Sequence, residues 1–259
     1  MSDEKLPVSG LVICLNEADR IARCLESLSF CDEIVVVDSG STDGTRDIAR
    51  RYTDRVIEQP FLGYSGQKNF ALEHAKHAWV LCLDADEALA PEAAAAARAA
   101  LEKDDPAVAG YAFERVTFYL GVWHTHGEWS NDWQLRLFRR ARGRFGGVEP
   151  HDHVELEGAV VRLPGWIQHW TYRSLSEHIQ QTDRFSARMA RSYLESGIRF
   201  RYRDLLGRPL GRFFKGYVLK QGYRKGLPGF IVSAATGYYV FMKYAKLWEL
   251  ERTSDPLRK

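Results

Sequence analysis

The 259-residue chain has no uncharged run long enough to cross a bilayer. The longest, Gly226–Met242, holds 17 residues, three of them Gly and one Pro. As a helix it would cover about 25 Å against a hydrocarbon core of roughly 30 Å, which favours surface attachment over a crossing. Cysteine is scarce. Cys14, Cys24, Cys31 and Cys82 form no C-x-x-C pair and have no histidine pair at zinc-finger spacing, which excludes a disulfide scaffold or a zinc ribbon. The four read as small core residues in a reducing cytosol. The N-terminal MSDEKLPVSG is polar and acidic, so no signal peptide is expected. Repeats and low-complexity tracts are absent, and 45% hydrophobic with 12% aromatic residues excludes a disordered chain.

What is present is divided by charge. Residues 1–110 carry 11 Lys/Arg against 20 Asp/Glu; residues 111–259 carry 25 against 14. An acidic first part argues against nucleic acid as a partner there and can hold a cation, whereas the basic remainder suits an anionic partner.

The first 110 residues alternate short β-rich runs with helical patterns: strands at Val8–Leu15, Glu33–Asp38, Arg55–Glu58 and Trp79–Leu83, and helices at Glu17–Leu28 (capped by Asn16), Thr45–Tyr52, Ser65–Lys76 and from Pro91 on. This order predicts an α/β fold with a parallel sheet covered on both faces, whose ligands sit outside the carboxyl ends of the strands. Asn16, Asp38 and the Asp84-Ala85-Asp86 triplet all fall at such ends. Residues 110–170 are β-prone and aromatic. From Ser174 on the pattern is helical, with a capping box at Ser174 and Glu177 and helices over Leu175–Ser196, Arg203–Lys225 and Pro228–Glu251. A boundary near Tyr172 separates a catalytic region, 1–172, from a basic helical region, 173–259.

The chemistry concentrates at those strand ends. Asp84 and Asp86, two residues apart after WVLCL, can reach one hard divalent cation and a nearby ribose, since Mg2+ and Mn2+ accept one or two carboxylates together with substrate phosphates. Asp38 ends EIVVVD and precedes SGSTDGT; its carboxylate can accept the N3–H of a uracil, and the Gly/Ser loop allows close approach of a nucleotide, while Ser41, Thr42 or Asp43 caps the next helix. The segment GVWHTHGEWSNDW holds three Trp and two His, which suits sugar-stacking aromatics or plain core better than zinc.

LVICLNEADRIARCLESL, EIVVVDSGSTDGT, GQKNFAL and WVLCLDADE resemble the inverting family 2 glycosyltransferases of the GT-A nucleotide-sugar fold, a mixed sheet flanked by helices, here with a C-terminal helical extension. The likeness is dense over residues 8–90 and looser through WQLRLFR, His151-Asp152 and IQHW, and the layout is similar to bacterial lipopolysaccharide core glucosyltransferases. The resemblance implies a nucleotide-sugar donor, a UDP-sugar, with Asp38 on the uracil, Asn16 and Glu17 lining the base pocket, Lys68 near the donor, Asn69 structural, Asp84 at ribose and metal, and Asp86 on a Mg2+ or Mn2+ that bridges the diphosphate. A late His, here His169, completes the metal site. Asp152 is the first candidate for the base that takes the acceptor proton, ahead of Asp132, with Glu149 also in reach. Many relatives have Pro before the Asn-containing turn, where this chain has Cys14-Leu15.

Residues 184–225 hold twelve Lys/Arg and only Glu195 and Asp204, interleaved with aromatics and followed by the uncharged Gly226–Met242. Basic, aromatic and apolar residues in sequence make an interfacial anchor. The expectation is therefore a metal-dependent transferase acting on a lipid-linked glycan, bound peripherally to the anionic cytoplasmic face of the inner membrane through residues 199–250, with no nucleic acid partner. A polyprenyl-phosphate sugar synthase is the second enzyme reading. A nucleotide- or nucleic-acid-binding module is the third reading, and it leaves Asp38 and the D-x-D unexplained.

Overall fold

The structure, a computed structural model, describes residues 4–147 and 153–253. The chain divides into two compact units. One holds the chain up to Val116 and from Asn131 to Trp170; the other holds Thr117–Ser130 and the chain from Thr171 onward.

In the first unit β1 (Leu6–Cys14), β2 (Cys31–Asp38), β3 (Val56–Glu58) and β4 (Trp79–Asp84) alternate with helices α1 (Ile21–Ser27), α2 (Thr45–Ala49) and α3 (Tyr64–Glu73). β5 (Glu87–Leu89), α4 (Pro91–Lys103), β6 (Val108–Tyr119), β7 (Val122–Trp123), β8 (Asp132–Arg139), β9 (Gly143–Gly146), β10 (His153–Leu156) and β11 (Ala159–Trp170) follow. The sheet order is β3-β2-β1-β4-β8-β6-β11-β5, with β9 and β10 as a separate hairpin. β1 pairs in parallel with β2 and β4, and β2 with β3, whereas β8 runs antiparallel to β4 and β6, and β11 to β5. The sheet is thus mixed, parallel only in the part where the sequence alternates strand and helix.

Strict alternation along the strands builds two cores. Val8, Val12, Leu81, Leu83 and Val36 face α1 and α4, while Leu11, Val35, Val37, Val80 and Cys82 face α3. Side chains that alternate between two covered faces explain why these strands read as unbroken apolar runs. All four cysteines are buried and free; burial pushes the Cys31 and Cys82 thiols up to about 12.

β1 is followed on one side by β2 and β3 and flanked on the other by β4, so the chain reverses its direction across the sheet at β1. The crevice at such a switch point, beyond the carboxyl ends of the strands, is where open α/β sheets take their ligands. The register puts Cys14 opposite Asp38 and Ile13 opposite Asp84, so both aspartates flank the end of β1.

The second unit contains α5 (Leu175–Glu195), α6 (Tyr202–Phe214) and α7 (Gly226–Thr253). The Ser174 hydroxyl accepts the Glu177 N–H at 3.1 Å, as the capping box predicts, but the Glu177 carboxylate reaches back to the Arg173 N–H at 2.6 Å rather than to that of Ser174. The helix expected over Arg203–Lys225 breaks after Phe214 into a π-helical turn (Lys215–Leu219) and a 3-10 turn (Gly222–Lys225). α7 packs on α5 and α6, burying Val232, Ala235, Val240, Tyr244 and Leu247. Among the described residues no helix is long and apolar enough to cross a membrane. The aromatic segment after β6 folds onto α5: His178 stacks on Tyr172 at 4.3 Å, and Tyr119, His124 and Trp129 complete the cluster. Burial lowers His178 to about 4, so its imidazole is neutral at physiological pH; among the described residues no group of three His, Cys, Asp or Glu is placed to hold a metal.

Gly165 has φ +78°, and a Cβ there would stand 2.3 Å from the Ala93 backbone nitrogen. β11 passes α4 too closely for any side chain. Gly165→Ala is expected to cost at least about 2 kcal/mol from the strained φ and the clash together, read as a lower urea midpoint at unchanged slope.

Candidate active site

The loops after β1 and β2 are stitched together. Asn16 sits in the left-handed region, φ 57°, which an asparagine tolerates better than most residues. Its N–H donates to the Ser41 hydroxyl at 2.8 Å, and its Oδ1 accepts the Thr42 N–H at 2.8 Å. The Glu17 N–H donates to Thr45 Oγ1 at 2.8 Å and the Ala18 N–H to Asp43 at 3.1 Å. Asn16 therefore holds the loop after β2 and does not cap α1, which begins only at Ile21 with no side-chain cap. Ser41, Thr42, Asp43 and Thr45 give their side chains to this stitching, and the expected cap of α2 is replaced by Gly44 in a left-handed conformation.

Asp38 is fully buried. Its Oδ1 accepts the N–H groups of Gly40 and Ser41 at 3.0 and 2.9 Å, and its Oδ2 accepts the Ser41 hydroxyl and, at 3.5 Å, the Cys14 thiol. With no exposed atom it shapes the loop from below. The expected direct contact with uracil is thus at odds with this conformation and would need the loop to open.

The D-x-D triplet separates into two environments. Asp84 Oδ1 lies 2.8 Å from Lys68 Nζ, and its Oδ2 accepts from Arg136 Nη2 at 2.9 Å. Burial by itself would raise the Asp84 carboxyl, but the adjacent Lys68 and Arg136 charges hold it well below the usual carboxylate range. Both oxygens are paired with cations, and the side chain remains partly exposed. Arg136, itself buried, also donates to Glu87 at 2.7 Å. The other Glu87 oxygen accepts the Asp84 N–H at 3.1 Å, closing the 84–87 turn. Arg115 joins Glu87 to Asp132, donating to Asp132 Oδ2 from Nε at 2.8 Å. Gln134 takes Asp132 Oδ1 at 2.6 Å.

Asp86 faces the other way. Its Oδ2 lies 3.5 Å from His169 Nε2 and 3.8 Å from Arg20 Nη1. The register that pairs His169 with Glu87, and the Trp170 N–H bonded to the Asp86 carbonyl at 2.9 Å, bring β11 beside the triplet. One carboxylate and one imidazole suit Mn2+ and are tolerated by Mg2+ when substrate oxygens fill the remaining positions. Among the described residues no group of three His, Cys, Asp or Glu side chains is placed to hold a metal unaided, so the fit is to a cation shared with a phosphorylated substrate. Asp152 and Glu149 lie outside the described residues.

The structure thus brings Asn16, Glu17, Asp38, Lys68, Asp84, Asp86 and His169 to one edge of the sheet. Asn69 bridges α3 to β9 through the Phe145 backbone, with bonds of 2.8 and 2.9 Å, the structural role the resemblance implied. The sequence reading missed Glu87, Arg115, Arg136 and Arg20. The acid after D-A-D and the Arg inside WQLRLFR were visible as charges inside apolar runs, the one pattern that demands a buried partner.

The chain matches the profile of Glycosyl transferase family 2 over residues 9–155. It is 35% identical over 252 residues to the lipopolysaccharide core biosynthesis glycosyltransferase LpsC of Rhizobium meliloti, covering 95% of this chain and 93% of that one. It is 29% identical to an uncharacterized glycosyltransferase of Rickettsia typhi, covering 95% and 88%. Among solved structures, the mannosyltransferase PcManGT of Pyrobaculum calidifontis, in complex with GDP-Man and Mn2+, superposes with a TM-score of 0.54 at 18% identity, covering 95% of this chain and 88% of that one. The shared architecture is the GT-A fold.

Asp84→Asn leaves Lys68 and Arg136 short of one negative partner and is expected to cost about 3 kcal/mol at neutral pH. Because the native carboxyl titrates below the unfolded one, the wild-type advantage is complete above the unfolded value of about 4 and shrinks as pH falls below it. Urea unfolding of both proteins at neutral pH and at about pH 3 reads the gap; one that stays constant would show that Asp84 is not the linked group.

Proposed function

The chain belongs to glycosyl transferase family 2, and on that premise we propose that it moves a hexose from a UDP-sugar to a lipid-linked glycan of the lipopolysaccharide inner-core class, with inversion and with Mg2+ or Mn2+ at the diphosphate. The observation that carries the proposal is the Asp86–His169 pair, 3.5 Å apart at the switch-point edge of the sheet. The likeness to LpsC along nearly the whole chain supports the acceptor class.

The site residues divide the work. Asp86 and His169 would hold the cation, which when bound neutralises the charge that develops on the leaving diphosphate. Arg20, buried beside Asp86 and bonded to Glu17 at 2.7 Å and to the Trp170 carbonyl, fixes the carboxylate and the turn that contains Glu17. The cross-linked loops 16–18 and 39–45 form the wall for the base, with Asp38 beneath them. Asp84, clamped by Lys68 and Arg136, is left to receive the ribose. Holding donor and acceptor in line converts an encounter into an attack within one complex.

An inverting displacement also needs a base on the acceptor hydroxyl. Asp132 accepts from Arg115 at Oδ2 and from Gln134 at Oδ1, and Asp152, the first candidate, and Asp132, the second, are separated by the variants below. The basic helical region is assigned to an anionic membrane surface, the cytoplasmic face of the inner membrane, where such an acceptor resides.

Hydrolysis of a panel of nucleotide sugars by the purified protein tests the reading. UDP-sugar turnover is expected with Mn2+ or Mg2+ and should vanish with chelator and in Asp86→Ala, whose far-UV spectrum stays native because a strand-end carboxylate is not core. Near-full activity in Asp86→Ala would sink the metal assignment. Asp152→Asn should lower transfer about 10²–10⁴-fold with donor affinity kept; an active Asp152→Asn beside a dead Asp132→Asn would move the base to Asp132.

A further inference from the structure

A surface helix ordinarily turns its charges to water and its apolar residues inward. α6 turns apolar residues to water alongside its charges. Leu206, Leu210 and Phe214 are 64%, 69% and 52% exposed, and four-residue steps keep them within about 80° of arc on the helix. The side next to this stripe is the one that packs: the Pro209 carbonyl and the Phe213 Cβ lie 3.2 and 3.5 Å from where a Cβ on Gly237 of α7 would stand. Beyond the helix, Leu219 and Leu227, 66% and 69% exposed, extend the apolar surface.

This surface is rimmed by cations. Residues 199–225 hold nine Lys/Arg and one acid, and that acid, Asp204, is buried and bonded to Arg208 at 2.7 Å. A solvated charged face would not carry exposed leucines at its centre. A second copy of this chain would bring the same excess of cations against itself. An anionic bilayer satisfies both halves: its headgroups attract basic side chains, and its acyl boundary takes up an apolar stripe.

We propose that the outer face of α6, centred on Leu206, Leu210 and Phe214, is the element that enters an anionic bilayer surface. The uncharged Gly226–Met242 stretch, to which the sequence pointed, by contrast buries Val232, Ala235 and Val240. The assignment rests on the membrane attachment proposed above and locates it.

Flotation of the full-length protein with equimolar phosphatidylglycerol–phosphatidylethanolamine vesicles, and with phosphatidylcholine vesicles, tests it. The wild type should float with the anionic vesicles, less at high salt, and hardly with the neutral ones. Leu206→Gln, Leu210→Gln and Phe214→Gln together should lower the bound fraction about tenfold. Phe230→Gln, Tyr238→Gln and Phe241→Gln on the exposed side of α7 should leave it within about twofold. Both triple variants should keep the native far-UV spectrum and donor hydrolysis. Failure of the wild type to float would overturn the attachment itself. Wild-type flotation matched by the α6 variant and lost in the α7 variant would overturn the address alone. A wild-type dimer in sedimentation that the α6 variant converts to monomer would make the face a subunit contact and also overturn it.

Discussion

A buried guanidinium is the constraint from which the site's geometry follows. Arg136 lies between the Asp84 and Glu87 carboxylates, and a charge so placed is tolerated only because it is paired on both sides. It stands on β8, the strand at which the sheet turns from parallel to antiparallel, and it grips the turn after β4. Glu87 closes that turn by accepting the Asp84 N–H. The two aspartates of the D-x-D are thereby assigned different tasks by their neighbours: Asp84 is neutralised in place by cations, while Asp86 is aimed at His169. Arg115 carries the same network on to Asp132, so the turn after β4 and the strand bearing Asp132 are held by one set of ion pairs.

Much of this was legible because it depends on short-range pattern. Unbroken apolar runs announced β1, β2 and β4, and the polar residues directly after them announced the functional edge, since a strand's end is fixed by where its hydrophobicity stops. What was not legible depends on long-range pairing. Asn16 looked like a helix cap because caps are local; its partners, Ser41 and Thr42, are 25 and 26 residues away. Asp38 ends a strand, and four residues, Cys14, Gly40, Ser41 and Arg46, make hydrogen bonds or an ion pair to its buried carboxylate. Which carboxylate stays open is decided by the loop that folds over it, and the sequence of that loop does not encode its path by periodicity.

The basic helical region shows the same divide. The sequence marked it as interfacial from its composition, and α6 carries exposed cations, Arg203 and Arg208. Composition could not say which apolar residues are spent inside. The uncharged stretch looked like the insertion element because it lacked charge, yet small residues are also what allow helices to pack closely. Gly229 leaves no room for a side chain beside the Gly222 carbonyl, and Gly237 sits against Pro209. Gly226–Met242, the uncharged part of α7, carries these close contacts, while α6 exposes Leu206, Leu210 and Phe214 together with cations.

The chain's path bears on how these parts can be separated. It passes between the two units after Val116, after Ser130 and after Trp170. The hairpin between the first two crossings is tied to the C-terminal helices by the Tyr119–His178–Tyr172 cluster and by Glu128, whose carboxylate pairs with Arg212 while its carbonyl accepts from Lys220 at 3.1 Å. Burial raises the Glu128 carboxyl while Arg212 and Lys220 oppose the rise, so removing the helices would strand a buried acid without its cations and expose an aromatic cluster to water. An appendage joined through one linker could be dispensed with; this one holds a segment of the chain that leads directly into β8, the strand carrying Asp132 and Arg136. The helices and the Thr117–Ser130 segment are therefore one packed body, and removing the helices would leave that segment without its partners.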